Sequence, residues 1–333
     1  MSLTGLSTVL LLAILGGSAA IVWLAGAPLA RSTDALTERF GLGQALGGLL
    51  LLAVATNLPE CAIVISAALR GDMAMAIGNL LGGIAAQTVV LVAIDRWGVR
   101  QGAPLLSQAA TPALQIEALL VMVLLTLVVA GRQLALAIRL GPFTIGDLLI
   151  PAAWLAGVAA ISRLRPAARS PGTPAATRPT SSTGVFAVAS LVTLAGGAGL
   201  ELAGSALASR AGIDGVLFGA TVLAAATSLP ELSTGIAAAR DGERELAVSD
   251  ILGGNAVLPG LLVLVTLLSG RSAFAAVDPT SLLLCGLGTV MTAACAGAMA
   301  MRSQRRLLGV GIDGLVVLGV YGAGIAGVAM LAP

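Results

Sequence analysis

Apolar segments of about 20 residues, the length a helix needs to cross a bilayer, recur along this chain with only short polar connectors between them. Ten segments fit that length, at 5–27, 42–69, 73–94, 111–130, 143–161, 184–204, 213–239, 246–269, 279–301 and 307–331. The expected fold is therefore all-α, a polytopic membrane protein of ten transmembrane helices. Its hydrophobic content of 57% against 10% charged residues lies outside the range of soluble domains. The first segment has the apolar core of a signal peptide, but no basic residue precedes that core, so it is expected to stay as the first transmembrane helix. The stretch from Ser162 to Gly184, rich in Pro, Ser, Thr and Arg, reads as a disordered connector. It divides the chain into an N-terminal half 1–161, a linker 162–183 and a C-terminal half 184–333.

With ten alternating spans, the arginines sort by side. Thirteen fall in the loops after the odd-numbered spans, at Arg31, Arg39, Arg96, Arg100, Arg163, Arg165, Arg169, Arg178, Arg240, Arg244, Arg302, Arg305 and Arg306, against five on the other side. Basic loops stay in the cytoplasm. Both termini are therefore expected outside and the linker inside, in a prokaryotic inner or plasma membrane. The net charge of +2, without a basic stripe, speaks against a nucleic-acid partner. The absence of histidine excludes His-x-x-x-His zinc sites and Ser-His dyads. Three cysteines in apolar segments, Cys61, Cys285 and Cys295, read as packing residues. Oligomeric state leaves no trace in the sequence.

One motif is written twice. A shift of 171 residues aligns Ala55–Gly83 with Ala226–Gly254 without a gap, and about thirteen of the 29 positions are identical. "ATNLPE" meets "ATSLPE", and "LLGG" meets "ILGG". Similarity continues upstream, giving repeats at about 41–90 and 212–261. Five spans, an odd number, separate the copies, so they are expected to cross the membrane in opposite directions, two inverted five-helix repeats.

Pro59 and Pro230 each remove a hydrogen bond from a helix and free a carbonyl four residues back. Thr56 and Thr227 lie one turn before Glu60 and Glu231, so hydroxyl, loosened carbonyl and carboxylate are expected on one helix face. A carboxylate at that depth is costly unless it faces a partner. Two of them with hydroxyl and carbonyl oxygens form the all-oxygen surroundings that a hard divalent ion such as Ca²⁺ prefers. Asn79, Gln87, Asp250 and Asn255 are polar groups available to complete such a cage. Asp147, Glu201 and Asp313 lie near span ends, where water is expected to reach them. Glu117 lies deeper, and its role is open.

These two stretches, "ATNLPE…IGNLLGG" and "ATSLPE…VSDILGG", resemble the alpha-repeats of the cation/calcium exchanger superfamily. The resemblance implies two inverted five-helix halves and exchange of Ca²⁺ against Na⁺ or H⁺ by alternating access. It implies Glu60 and Glu231 as central ion ligands, with carbonyl oxygens from Thr56 and Thr227 and side-chain oxygens from Asn57 and Ser228. The chain departs from the family pattern at Gly83 and Gly254, where the family has serine, and at Gln87 and Leu258, where it has Asn or Asp. Those groups help to form the family's sodium sites, which leaves the counter-ion open between Na⁺ and H⁺. Asp250 stands where the family has Asn. Alternatives are a passive cation channel, a divergent exchanger for Mg²⁺ or Mn²⁺, and, against the Pro-Glu context of both acids, an intramembrane aspartyl protease. No cofactor is expected.

Overall fold

Helices begin where a polar cap or a proline ends a loop. In a computed structural model, described for residues 3, 5–40, 53–99, 101–135, 139–164 and 182–331, α1 runs Thr8–Phe40. A short α2 (Ala53–Thr56) and α3 (Leu58–Arg70) follow. Asp72 caps α4 (Met73–Trp97) by accepting from the Met75 N–H. After the short α5 (Leu105–Ala109), Thr111 and Pro112 start α6 (Pro112–Leu134), and α7 spans Ile145–Leu164.

The second half follows the same order. It comprises α8 (Ser182–Ala211), α9 (Gly215–Phe218), a π-helical turn at Gly219–Leu223, α10 (Ala224–Thr227) and α11 (Leu229–Arg240). Then come α12 (Arg244–Val257), a 3₁₀ turn at Leu258–Gly260, α13 (Leu261–Ser269) and the short α14 (Ala273–Ala276). Asp278 and Pro279 start α15 (Pro279–Met301), and α16 is Ile312–Leu331.

Among the described residues, eight helices are long and apolar enough to span a membrane, and the pair Gly215–Thr227 and Leu229–Arg240, bent by 41°, makes a ninth candidate. Residues 41–52, the upstream part of the expected second span, and 165–181, most of the expected linker, lie outside the described residues. Exposed apolar side chains such as Leu12, Leu24, Leu119, Leu155, Leu191 and Met330 form the kind of surface that lipid covers. The protein is an integral membrane protein. Its core gathers around α4, whose span window is 83% buried, against 17% for α16.

Small residues set how closely α4 is packed. A Cβ on Gly82 would stand 2.2 Å from the Ala220 Cα, and one on Gly78 2.5 Å from the Val216 carbonyl oxygen. The backbones of α4 and the 215–223 segment therefore touch, as small-residue interfaces in membranes allow.

Contacts repeat in exchanged form between the halves. Gly26 of α1 lies under Pro230, where a Cβ would meet the Pro230 Cβ at 2.8 Å, and Gly197 of α8 lies under Pro59, where it would meet the Pro59 oxygen at 2.6 Å. Gly26 and Gly197 are separated by the same 171 residues as the two prolines. Each half also carries a two-residue antiparallel hairpin before its last helix. In β1 (Arg139–Leu140) and β2 (Phe143–Thr144), Arg139 pairs with Thr144. In β3 (Arg306–Leu307) and β4 (Val310–Gly311), Arg306 pairs with Gly311.

The molecule's ends are marked by polar contacts. Trp97, at the last turn of α4, accepts from the Arg240 Nε at 3.2 Å, Ala110 O accepts from Arg302, and Asp95 pairs with Arg306 at 2.9 Å. At the first turn of α4, Asp72 accepts from Ser205 at 3.0 Å, and Arg70 lies 3.8 Å from it. The helices after the two motifs, α3 and α11, thus end at opposite ends of α4.

Candidate cation site

Each motif helix breaks at the residue before Leu-Pro-Glu. Asn57 and Ser228 separate α2 from α3 and α10 from α11. Their side chains bond equivalent carbonyls four residues back, Asn57 Nδ2 donating to Ala53 O at 2.6 Å and Ser228 Oγ to Ala224 O at 2.7 Å. Thr56 and Thr227 hydroxyls donate to the same two oxygens at 3.3 and 3.2 Å. The motif spacing predicts each Thr and its Glu on one helix face. Instead they flank a break, because Pro59 and Pro230 occupy the first turn of a new helix, where a missing N–H leaves nothing unsatisfied.

That break puts Glu60 and Glu231 in the first turn of α3 and α11. A helix N-terminus carries about half a positive charge, which stabilises a carboxylate by up to ~2 kcal/mol in partly buried geometry. Glu60 is 0% and Glu231 1% exposed, so solvent reaches neither.

The two carboxylates converge on one amide. Gln87 Nε2, from α4, donates to Glu60 Oε1 at 3.2 Å and lies 3.5 Å from both Glu231 Oε1 and Asn57 Oδ1. The Thr227 hydroxyl also lies against the Glu60 carboxylate. Glu60 Oε2, Glu231 Oε2 and Gln87 Oε1 are buried without a hydrogen-bond partner. Orphaned acceptors of this kind are costly in a dry interior and call for a bound group.

Asp250, on α12, ties the copies together at the edge of this group. It accepts from Thr56 Oγ1 at 3.4 Å and from Thr234 Oγ1 at 3.0 Å. Among the described residues no three His, Cys, Asp or Glu side chains are arranged to hold a metal ion. An ion between Glu60 and Glu231 therefore needs amide, hydroxyl and backbone oxygens as well. All eight residues singled out from the sequence, Thr56, Asn57, Glu60, Gln87, Thr227, Ser228, Glu231 and Asp250, are buried at 3% exposure or less.

Thr234 was missed, although it lies one turn beyond Glu231 and closes the motif stretch. Glu117 is fully buried and accepts from Ser249 Oγ at 3.1 Å, next to Asp250. Two expectations are corrected. Glu201 does not reach water: it is 0% exposed, 2.7 Å from Arg70 and 2.6 Å from Ser66. Asp147 is 3% exposed and accepts from the Thr144 N–H and hydroxyl at 2.7 and 2.9 Å. Span ends in this fold pack against neighbouring helices, so position near an end does not imply solvent. Asp313 remains half-buried.

Comparison with known proteins decides the family, because the model of the sodium/calcium exchanger protein family matches residues 10–159 and 181–329. The chain belongs to that family. Among relatives of this exchanger-family chain, the inner membrane protein YrbG of Escherichia coli (strain K12) is 26% identical over 259 residues, which is 69% of this chain and 72% of that protein. Among solved structures, an H⁺/Ca²⁺ exchanger CAX aligns over 96% of this chain and 86% of its own, with a TM-score of 0.71 at 12% identity. The sodium-calcium exchanger NCX_Mj, soaked with Na⁺ and Sr²⁺, aligns over 96% and 99%, with a TM-score of 0.61 at 17% identity. Native YfkE aligns over 95% and 92%, with a TM-score of 0.69 at 14% identity. At these identities the structural likeness speaks for an exchanger-like fold.

Proposed function

We propose that this chain is a secondary active antiporter that exchanges Ca²⁺, or a similar divalent cation, against Na⁺ or H⁺ by alternating access. The observation that carries the reading is the convergence of Glu60 and Glu231, one from each motif copy, on the Gln87 amide in a place that solvent does not reach. Glu60 and Glu231 are the central ligands of the transported ion. Thr56 and Thr227 carbonyls, Asn57 and Ser228 side chains and Gln87 contribute neutral oxygens. Asp250 holds the two copies in register through Thr56 and Thr234 and adds negative charge at the edge.

Ten helices in two inverted five-helix halves, 1–161 and 184–333, complete this reading. The exchanged glycine–proline contacts, and the opposite ends at which α3 and α11 finish, support it. Pseudo-symmetry of that kind gives a transporter two related states open to opposite faces, and the closed carboxylate pair fits an occluded step between them. The arginine distribution supports termini outside.

The test is ⁴⁵Ca²⁺ uptake by proteoliposomes holding purified protein. Antiport predicts uptake driven by an outward Na⁺ or H⁺ gradient and accelerated by unlabelled Ca²⁺ inside. Uptake indifferent to both gradients and to internal Ca²⁺ rules it out.

A further inference from the structure

We infer that Leu258 restricts the site to a single cation position, on the flank held by Gln87; the inference rests on the antiport reading above. The 171-residue offset that aligns the motif copies pairs Gln87 with Leu258, Gly83 with Gly254 and Asn57 with Ser228. Contacts follow this pairing across the halves. A Cβ on Gly254 would lie 2.9 Å from Asn57 Nδ2 and 3.5 Å from Gln87 Oε1, whereas one on Gly83 would lie 3.3 Å from Leu258 Cδ1. The two flanks correspond in position and differ in chemistry.

On the Gln87 flank, Gln87 Oε1 is buried and unpartnered, as is the Oε2 atom of each glutamate. Asn57 Oδ1 lies nearby, 3.5 Å from Gln87 Nε2. These are the oxygens that a dehydrated cation requires. On the opposite flank Leu258 is fully buried and offers methyl groups where Gln87 offers an amide oxygen; the Ser228 hydroxyl donates its proton to Ala224 O and has only its lone pairs for an ion. A cation placed there would find methyl groups where the other flank has the Gln87 oxygen, so its hydration shell is replaced less completely, at a desolvation cost. Leu258 therefore acts as a selectivity residue: one divalent ion fits, and two monovalent ions do not fit together.

Equilibrium binding of ⁴⁵Ca²⁺ to the full-length protein in detergent, displaced by Na⁺ with choline as the ionic-strength control, tests this. The wild type is expected to bind a single Ca²⁺ and to release it to Na⁺ with a Hill coefficient of about 1, since that coefficient is bounded by the number of interacting sites. Leu258→Asn and Leu258→Gln, which give the second flank an oxygen, are expected to raise the coefficient toward about 2. Leu258→Met is expected to match the wild type. Cooperative displacement in the wild type overturns the inference, as do Asn and Gln variants that bind Ca²⁺ with the wild-type sodium curve. Where both polar variants lose Ca²⁺ binding, the wild-type coefficient alone decides. A wild type that binds none of Ca²⁺, Mg²⁺ and Mn²⁺ overturns the antiport reading itself, whereas single-ion binding with cooperative release to sodium overturns only the restriction by Leu258.

Discussion

Glu201 and the two motif glutamates are buried in different surroundings. Glu201 takes a cation, Arg70 at 2.7 Å, whereas Glu60 and Glu231 take helix N-termini and an amide. The first arrangement is complete and the second leaves oxygens unpartnered, which is why the proposed ion site is put at the motif pair and not at Glu201. Removing only the cation should be damaging: Arg70→Leu strands a buried carboxylate, a loss of about 3 kcal/mol or more. It is expected to lower the melting temperature of the detergent-solubilised protein, and the double change Arg70→Leu with Glu201→Gln should recover part of the loss. Glu60→Gln and Glu231→Gln change shape little and remove one charge each. Each is expected to reduce ⁴⁵Ca²⁺ flux to the level of empty liposomes while the melting temperature stays within a few degrees of the wild type. Flux at the wild-type level in either variant would remove that residue from the ion site.

At the scale of elements, the apolar blocks make most helices legible in the sequence, and the repeated Thr-x-Leu-Pro-Glu marks the residues that the fold brings together around Gln87. Legibility ended at pairing. Proline read as a kink, because a local pattern does not tell a distorted turn from the first turn of a new helix; Asn57 and Ser228 decide that by bonding Ala53 and Ala224. Glu201 meets Arg70 across 131 residues and Asp250 meets Thr56 across 194, and no short-range periodicity encodes such partners. Glycine was abundant enough to hide its own meaning. Gly82 is an obligatory contact, with Ala220 Cα 2.2 Å from where its Cβ would be, while Gly286 has nothing within 4 Å. Gly82→Val should therefore push two backbones apart, at more than the roughly 1–3 kcal/mol typical of overpacked cores. The yield of monodisperse protein on size exclusion is expected to collapse for Gly82→Val and to stay near the wild type for Gly286→Ala.

For the whole molecule, contacts group the loops after the expected third, seventh and ninth spans at one end, as the arginine sorting does. Arg240 on Trp97, Arg302 on Ala110, Arg306 on Asp95 and Thr111 on Glu245 join three loops at one end of α4. Arg210 on Thr8 and Ser205 on Asp72 join the start of α1 to the other end. The 25 residues of α4 reach about 37 Å at 1.5 Å per residue, enough to separate those ends by a bilayer. Which end faces the cytoplasm is a separate matter, argued from charge alone. Single cysteines at the exposed positions Glu243, Gln304, Ser209 and Ala211, in a background without Cys61, Cys285 and Cys295, resolve both questions with a membrane-impermeant maleimide. In intact cells, Ser209→Cys and Ala211→Cys are expected to label, and Glu243→Cys and Gln304→Cys only after the membrane is opened. The reverse pattern would leave the fold standing and invert the orientation, whereas Glu243→Cys and Gln304→Cys labelling from different sides would break the common end that their loops share.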